Sequence, residues 1–179
     1  MDGRAPLGRC EACPLRNRPI VPGYGPNPAK CVIVGEAPGE TEVIEGRPFV
    51  GSAGRRLDKA LDANNVPRSA IYITNAVLCH PEGNQSPPPP DAIEACHERL
   101  IAEVDLAQPQ KVLALGKTAS KALTGDSRPI GQLRVLDAAP SPYPVGDAKV
   151  RVTYHPSSLN RNPGWPGSFD NDVGWLGED

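Results

Sequence analysis

The chain has 179 residues, with 19 Lys and Arg against 21 Asp and Glu for a formal net charge of −2. Its length suits one domain with a real core, and its net charge argues weakly against a nucleic-acid binder, which usually carries a basic footprint. The 18 Gly and 22 Pro punctuate apolar runs without repeating, which excludes a collagen-like or low-complexity chain and leaves a loop-rich globular domain. No run is long enough to span a membrane and no apolar segment follows Arg4 and Arg9, so the cytoplasm is the expected location, with no membrane partner. The charge is uneven. Asp170, Asp172, Glu178 and Asp179 fall in a terminal stretch without Lys or Arg, while basic groups collect at Arg16 and Arg18, at Arg47, Arg55, Arg56 and Lys59, and at Lys117, Lys121 and Arg161.

In chain order, residues 1–30 read as loop with at most a short helix. Four short apolar or β-branched runs then predict strands: Cys31–Val34, Ile71–Ile73, Val112–Leu115 and Val150–Thr153. Helical patterns separate them. Leu57, Ala60 and Leu61 share a face over Ser52–Asn64; Ile93, Cys96, Leu100, Ile101 and Val104 share another over Pro90–Leu106, and Lys117–Leu123 forms a third helix stopping near Gly125. Strands alternating with helices predict an α/β domain with a central, mostly parallel, four-stranded sheet flanked by helices. Residues 126–148 read as a hairpin or an irregular excursion, and Gln85–Pro90, with four consecutive prolines, as extended and stiff.

The first strand feeds directly into Gly35–Gly54, a Gly-rich loop bearing Glu36, Glu40, Glu42 and Phe49. Ligands of open α/β sheets bind beyond the carboxyl ends of strands, so this loop is the first site candidate. The cysteines are the second. Cys10 and Cys13 form a CxxC pair, Cys79 lies just past a strand and Cys96 in the next helix, whereas Cys31 reads as an inert core thiol. A structural zinc site usually shows two close pairs, and a four-thiolate iron–sulfur cluster tolerates this irregular spacing better; spacing alone leaves iron and zinc both open.

With these residues in view, the chain resembles the family 4, iron–sulfur uracil-DNA glycosylases from about Cys10 to Pro163. The likeness rests on the ordered set Cys10-x-x-Cys13, Gly35-Glu-Ala-Pro-Gly39 with Gly46-Arg-Pro-Phe-Val-Gly51, Tyr72-Ile-Thr-Asn75 leading to Cys79, Cys96, Leu115-Gly-Lys-Thr-Ala119, and His155-Pro-Ser157 with Leu159 and Arg161. The resemblance implies hydrolysis of the N-glycosidic bond of uracil in single- or double-stranded DNA by a monomer that flips the nucleotide out of the stack. It further implies a [4Fe-4S] cluster on Cys10, Cys13, Cys79 and Cys96. Phe49 is then the stacking platform for the base, with Gly35 and Ala37 beside it, and the Asn75 amide reads uracil O4 and N3–H. Glu36 and Glu42 match the family's functional carboxylates, stabilising charge on the sugar and orienting water, and His155 donates to uracil O2; Glu40 is surface. Lys117, Thr118, Ser157 and Arg161 are expected on DNA phosphates, and Leu159, apolar on a polar loop, as the wedge that fills the gap left by the base. Rival readings are a same-fold glycosylase for another modified base and a non-catalytic iron–sulfur module that binds DNA or protein.

The sequence departs from the family in three respects. His80 stands where relatives place a larger basic or aromatic residue. The charge balance is more acidic than expected. Residues 1–163 are read as the domain and 164–179 as an acidic tail lacking the family's terminal helix.

Overall fold

The computed structural model describes residues 7–136, 139, 141–145 and 147–178. Arg4 and Asp179, singled out above for their charge, lie outside them. Four strands, β1 (Cys31–Gly35), β2 (Ile71–Asn75), β3 (Lys111–Leu115) and β4 (Lys149–Thr153), form one sheet in the order β2-β1-β3-β4. These four strands pair with one another in parallel, with Gly35 opposite Asn75 and Leu115 opposite Thr153, while single antiparallel bridges join Tyr24 to Ile73 and Ala139 to Val150. The α/β fold expected from the alternation of elements is therefore present, and all four strand ends point to one edge.

Among the described residues six α-helices flank the sheet: α1 (Glu40–Glu45), α2 (Ser52–Ala63), α3 (Pro90–Leu106), α4 (Gly116–Thr124), α5 (Ile130–Leu133) and α6 (Trp165–Gly174). They cover both faces of the sheet, as strands buried on both sides require. On one face, Val32, Val34, Val112, Ala114, Val150 and Val152 pack under Leu100 and Val104 of α3 and Leu123 of α4. On the other, Ile33, Ile73, Leu113 and Leu115 pack under Leu57 and Leu61 of α2 and Phe169 and Val173 of α6. Alternation along each strand sends its side chains to opposite cores. A third, smaller cluster joins Cys13, Leu15, Val77, Ala92, Ala95 and Cys96 beside α3.

Two expectations are corrected. The Gly-rich loop contains α1, capped at its start by Gly39 and Glu42 and ended by Gly46 in the left-handed conformation at φ 67°. The chain past Pro163 does hold a terminal helix. Pro166 sits in the first turn of α6, where its missing N–H costs nothing, and Phe169 and Val173 lie on its buried side. Two of the acids there are spent internally: Asp170 pairs with Arg56 at 2.7 Å, and Asp172 accepts two bonds from Arg134, at 2.9 and 3.0 Å, and one from Thr153 at 2.5 Å. Residues 126–148, as far as described, are irregular around the single turn of α5. No helix among the described residues is long and apolar enough to cross a membrane.

Candidate active site

The carboxyl ends of β1, β2, β3 and β4 open into a cavity of about 920 Å³. Glu36, Glu42, Phe49, Asn75 and His155 all line it. The loop after β1 and the residues after β2 and β4, far apart in sequence, thus meet at one edge, as a parallel sheet dictates.

Glycines make that meeting possible. A Cβ on Gly35 would stand 2.4 Å from Asn75 Oδ1 and 2.5 Å from Phe49 Cε2, so only a glycine lets both side chains lie over the end of β1. Gly116, at φ +82°, adopts a backbone that other residues rarely tolerate, and a Cβ there would stand 2.9 Å from that of His155.

Phe49 is 5 % exposed and holds φ at 54°, a strained conformation for a residue with a side chain. Its neighbours enforce it. Arg68 donates to the carbonyls of Pro48 and Phe49 at 3.0 and 2.9 Å, while the Glu42 carboxylate accepts from the amides of Val50 at 2.9 Å and Gly51 at 2.7 Å. The other Glu42 oxygen accepts from the Gly39 amide at 3.2 Å. Glu42 therefore spends both oxygens on backbone and acts as the peg around which the Phe49 loop is folded.

Asn75 is buried, and its Oδ1 has no hydrogen-bond partner among the described residues. A buried orphan acceptor costs about 1–3 kcal/mol, a cost that a functional site bears when a ligand supplies the missing donor. Behind it, Arg99 donates to the carbonyls of Asn75 and Ala76 at 2.9 and 2.8 Å and pairs with Glu103 at 2.5 Å. Sequence reasoning passed over Arg99, although a charged residue on the apolar stripe of α3, between Cys96 and Leu100, is the kind of anomaly that marks a buried anchor.

His155 lies with its ring centroid 5.9 Å from that of Phe49. Its Nδ1 accepts from the Ser157 amide at 3.3 Å and meets Ser157 Oγ at 2.8 Å. An amide can only donate, so in the neutral ring the proton resides on Nε2. Burial lowers the His155 pKa, and the charge of Glu36 opposes that shift. Glu36 itself accepts from Ser86 Oγ at Oε1 and from Thr118 Oγ1 at Oε2, each at 2.5 Å.

The remaining expected residues divide. Lys117, Ser157 and Arg161 are exposed at the cavity and Ala37 also lines it, whereas the Thr118 hydroxyl is engaged with Glu36. Leu159 corrects an expectation: it is 2 % exposed, packed in the core with Phe49 and Phe169, and does not stand free on its loop. His80 is buried, with its Nδ1 2.9 Å from the Pro38 carbonyl. Cys31 is only half-buried and donates to the Leu176 carbonyl at 3.5 Å.

The four other cysteines gather beside α3. The turn Cys10–Ala12 is pinned to that helix by the Arg9 amide, which donates to the Ala95 carbonyl at 2.8 Å, and Cys13 and Cys96 share one apolar cluster with Cys79 against it. Burial first, then the fields of Cys96, Cys13 and Cys10, push the Cys79 thiol up to about 11, so the four groups sense one another. All are free thiols. Among the described residues no His, Cys, Asp or Glu group is arranged to grip a single metal ion. The donor set of four thiols fits a multi-iron cluster, which spaces its ligands on separate metals.

The ends of a parallel sheet thus converge on a cavity lined by an amide with an orphan oxygen, an aromatic at positive φ and a histidine whose pKa burial lowers. A family profile described as the uracil DNA glycosylase superfamily matches residues 22–173, and the chain belongs to that superfamily. It is 40 % identical over 156 residues to the type-4 uracil-DNA glycosylase of Thermotoga maritima, covering 86 % of this chain and 79 % of the relative. It is 37 % identical over 173 residues to that of Pyrobaculum aerophilum, covering 93 % and 87 %, and 34 % identical over 180 residues to a type-5 uracil-DNA glycosylase of the same organism, covering 89 % and 74 %.

Proposed function

We propose that this chain is a DNA-repair glycosylase that hydrolyses the bond between uracil and deoxyribose, releasing free uracil and leaving an abasic site. The Asn75 amide carries the reading: Asn75 lines the cavity and its buried Oδ1 lacks a partner among the described residues, so uracil N3–H is the donor it needs, with the amide N–H₂ for O4. The base stacks on Phe49. As the C1′–N1 bond breaks, its electron pair moves into the uracil ring, and positive charge develops on the sugar. Neutral His155 offers Nε2–H to the O2 oxygen where the negative charge grows. Glu36 faces the sugar, stabilises its positive charge and takes a proton from the water that attacks C1′. Glu42 acts one step back, by holding Phe49 where the base must stack.

DNA is held by Lys117, Ser157 and Arg161 at the cavity rim. Cys10, Cys13, Cys79 and Cys96 hold the iron–sulfur cluster, which when bound ties the N-terminal turn, the segment after β2 and α3 into one unit. Metal analysis tests this part, with about four irons per chain expected for the cluster and one zinc overturning it. The activity is tested with single- and double-stranded oligonucleotides carrying one uracil, incubated with purified protein and then cleaved with alkali. Strand scission at the uracil is expected, and intact strands sink the reading. A panel of other modified bases, with Asn75→Ala alongside, tests the same-fold rival, since loss of the amide must abolish preference for uracil.

A further inference from the structure

Glu36 is gripped by two hydroxyls that arrive from different elements. Ser86 reaches it from the Pro-rich loop before α3, and Thr118 from the first turn of α4, each at 2.5 Å and each on its own carboxylate oxygen. Bonds from a hydroxyl to an ionised carboxylate are short and about twice as strong as neutral ones. One donor per oxygen fixes the plane of the carboxylate as well as its position, whereas a free Glu samples a broad terminal torsion. Thr118 is 7 % exposed, so water does not readily replace it; Ser86 is exposed. A hydroxyl has one proton to give. While Thr118 donates to Glu36 it offers a phosphate only lone pairs, which repel one another.

Building on the uracil-excising reading, we propose that Thr118 and Ser86 are positioning residues that clamp Glu36 for its work on the sugar and the attacking water, and that Thr118 is not a DNA-phosphate contact. The other buried hydroxyls of α4, on Ser120 and Thr124, are spent on backbone carbonyls one turn back, Gly116 and Ser120, whereas the Thr118 hydroxyl leaves its helix for Glu36.

Thr118→Val removes the hydroxyl at nearly constant volume, Thr118→Ser retains it, and Ser86→Ala removes the exposed partner. The readouts are the single-turnover rate of uracil release at saturating protein and the salt dependence of binding to uracil DNA. Thr118→Val is expected to slow the single-turnover step about tenfold or more, with affinity and salt slope unchanged, because a displaced catalytic group loses rate and not binding. Thr118→Ser restores the rate to within about threefold of wild type, and Ser86→Ala lies between. A phosphate contact gives the opposite pattern, weaker binding and a salt slope reduced by about one with the saturated rate intact, and overturns the clamp. Should Thr118→Val fail to fold, Ser86→Ala alone decides, and an unchanged rate there refutes the clamp. A wild-type protein that releases no uracil removes the functional reading and the clamp together; an active wild type with unaffected variants removes only the clamp.

Discussion

Glu42 and His155 are both titratable residues of one cavity, yet their surroundings give them different work. Glu42 accepts three backbone N–H bonds and is 8 % exposed. Glu42→Gln places an amide N–H₂ against amides that can only donate, and is expected to cost about 1–3 kcal/mol, read as a lower urea midpoint with unchanged slope. For His155 the sign follows from burial, which lowers its folded-state pKa below the unfolded value of about 6.5. Above that value the ring is neutral in both states. As pH falls below about 6.5 the unfolded chain binds the proton first, so stability drops until the lowered folded value is reached. Wild type should therefore lose more stability than His155→Asn over that window, in denaturant melts at stepped pH; equal losses contradict the assignment. That Glu36, Asn75 and His155 meet was legible in the sequence, because each stands within two residues of the end of a predicted strand; Phe49, far along the loop, was legible only through the Gly46–Gly51 motif that carries the family resemblance. The role of Glu42 was not, since three amide donors from Gly39, Val50 and Gly51 become visible only once the loop is folded.

At the level of elements, the strands were legible to within two residues because short runs of β-branched and apolar residues have few alternatives in a parallel sheet. The glycines at the ends of β1 and β3 constrain the pocket directly. Gly35→Ala forces a Cβ against the Phe49 ring and the Asn75 carbonyl, 2.5 and 2.4 Å away. Since the displaced groups belong to the pocket, a fall in kcat/KM of about tenfold or more is expected with the far-ultraviolet spectrum unchanged. Helix α1 escaped the sequence reading because a six-residue helix between glycines has too few apolar positions to show a period.

For the whole molecule, the terminal segment closes the second face of the sheet. The stripe of Trp165, Phe169, Val173 and Leu176 was present in the sequence, but two glycines and a proline within it read as breakers. Two of the acids that suggested a solvated tail, Asp170 and Asp172, are matched by Arg56 and Arg134 from elsewhere in the chain, pairings that no local pattern reveals. Phe169 is fully buried, so Phe169→Ala is expected to cost about 3–5 kcal/mol, measured by chemical denaturation. A cost below about 1 kcal/mol would mean that α6 is not part of the core.

The claim that joins these scales is that Phe49, Asn75 and His155 form one uracil-reading pocket, and a crystal structure of the protein with free uracil tests it most directly. The base should lie against the Phe49 ring, with N3 within hydrogen-bond distance of Asn75 Oδ1 and O2 facing His155 Nε2. Uracil bound elsewhere, or an Asn75 Oδ1 that stays unpartnered beside it, would contradict the account.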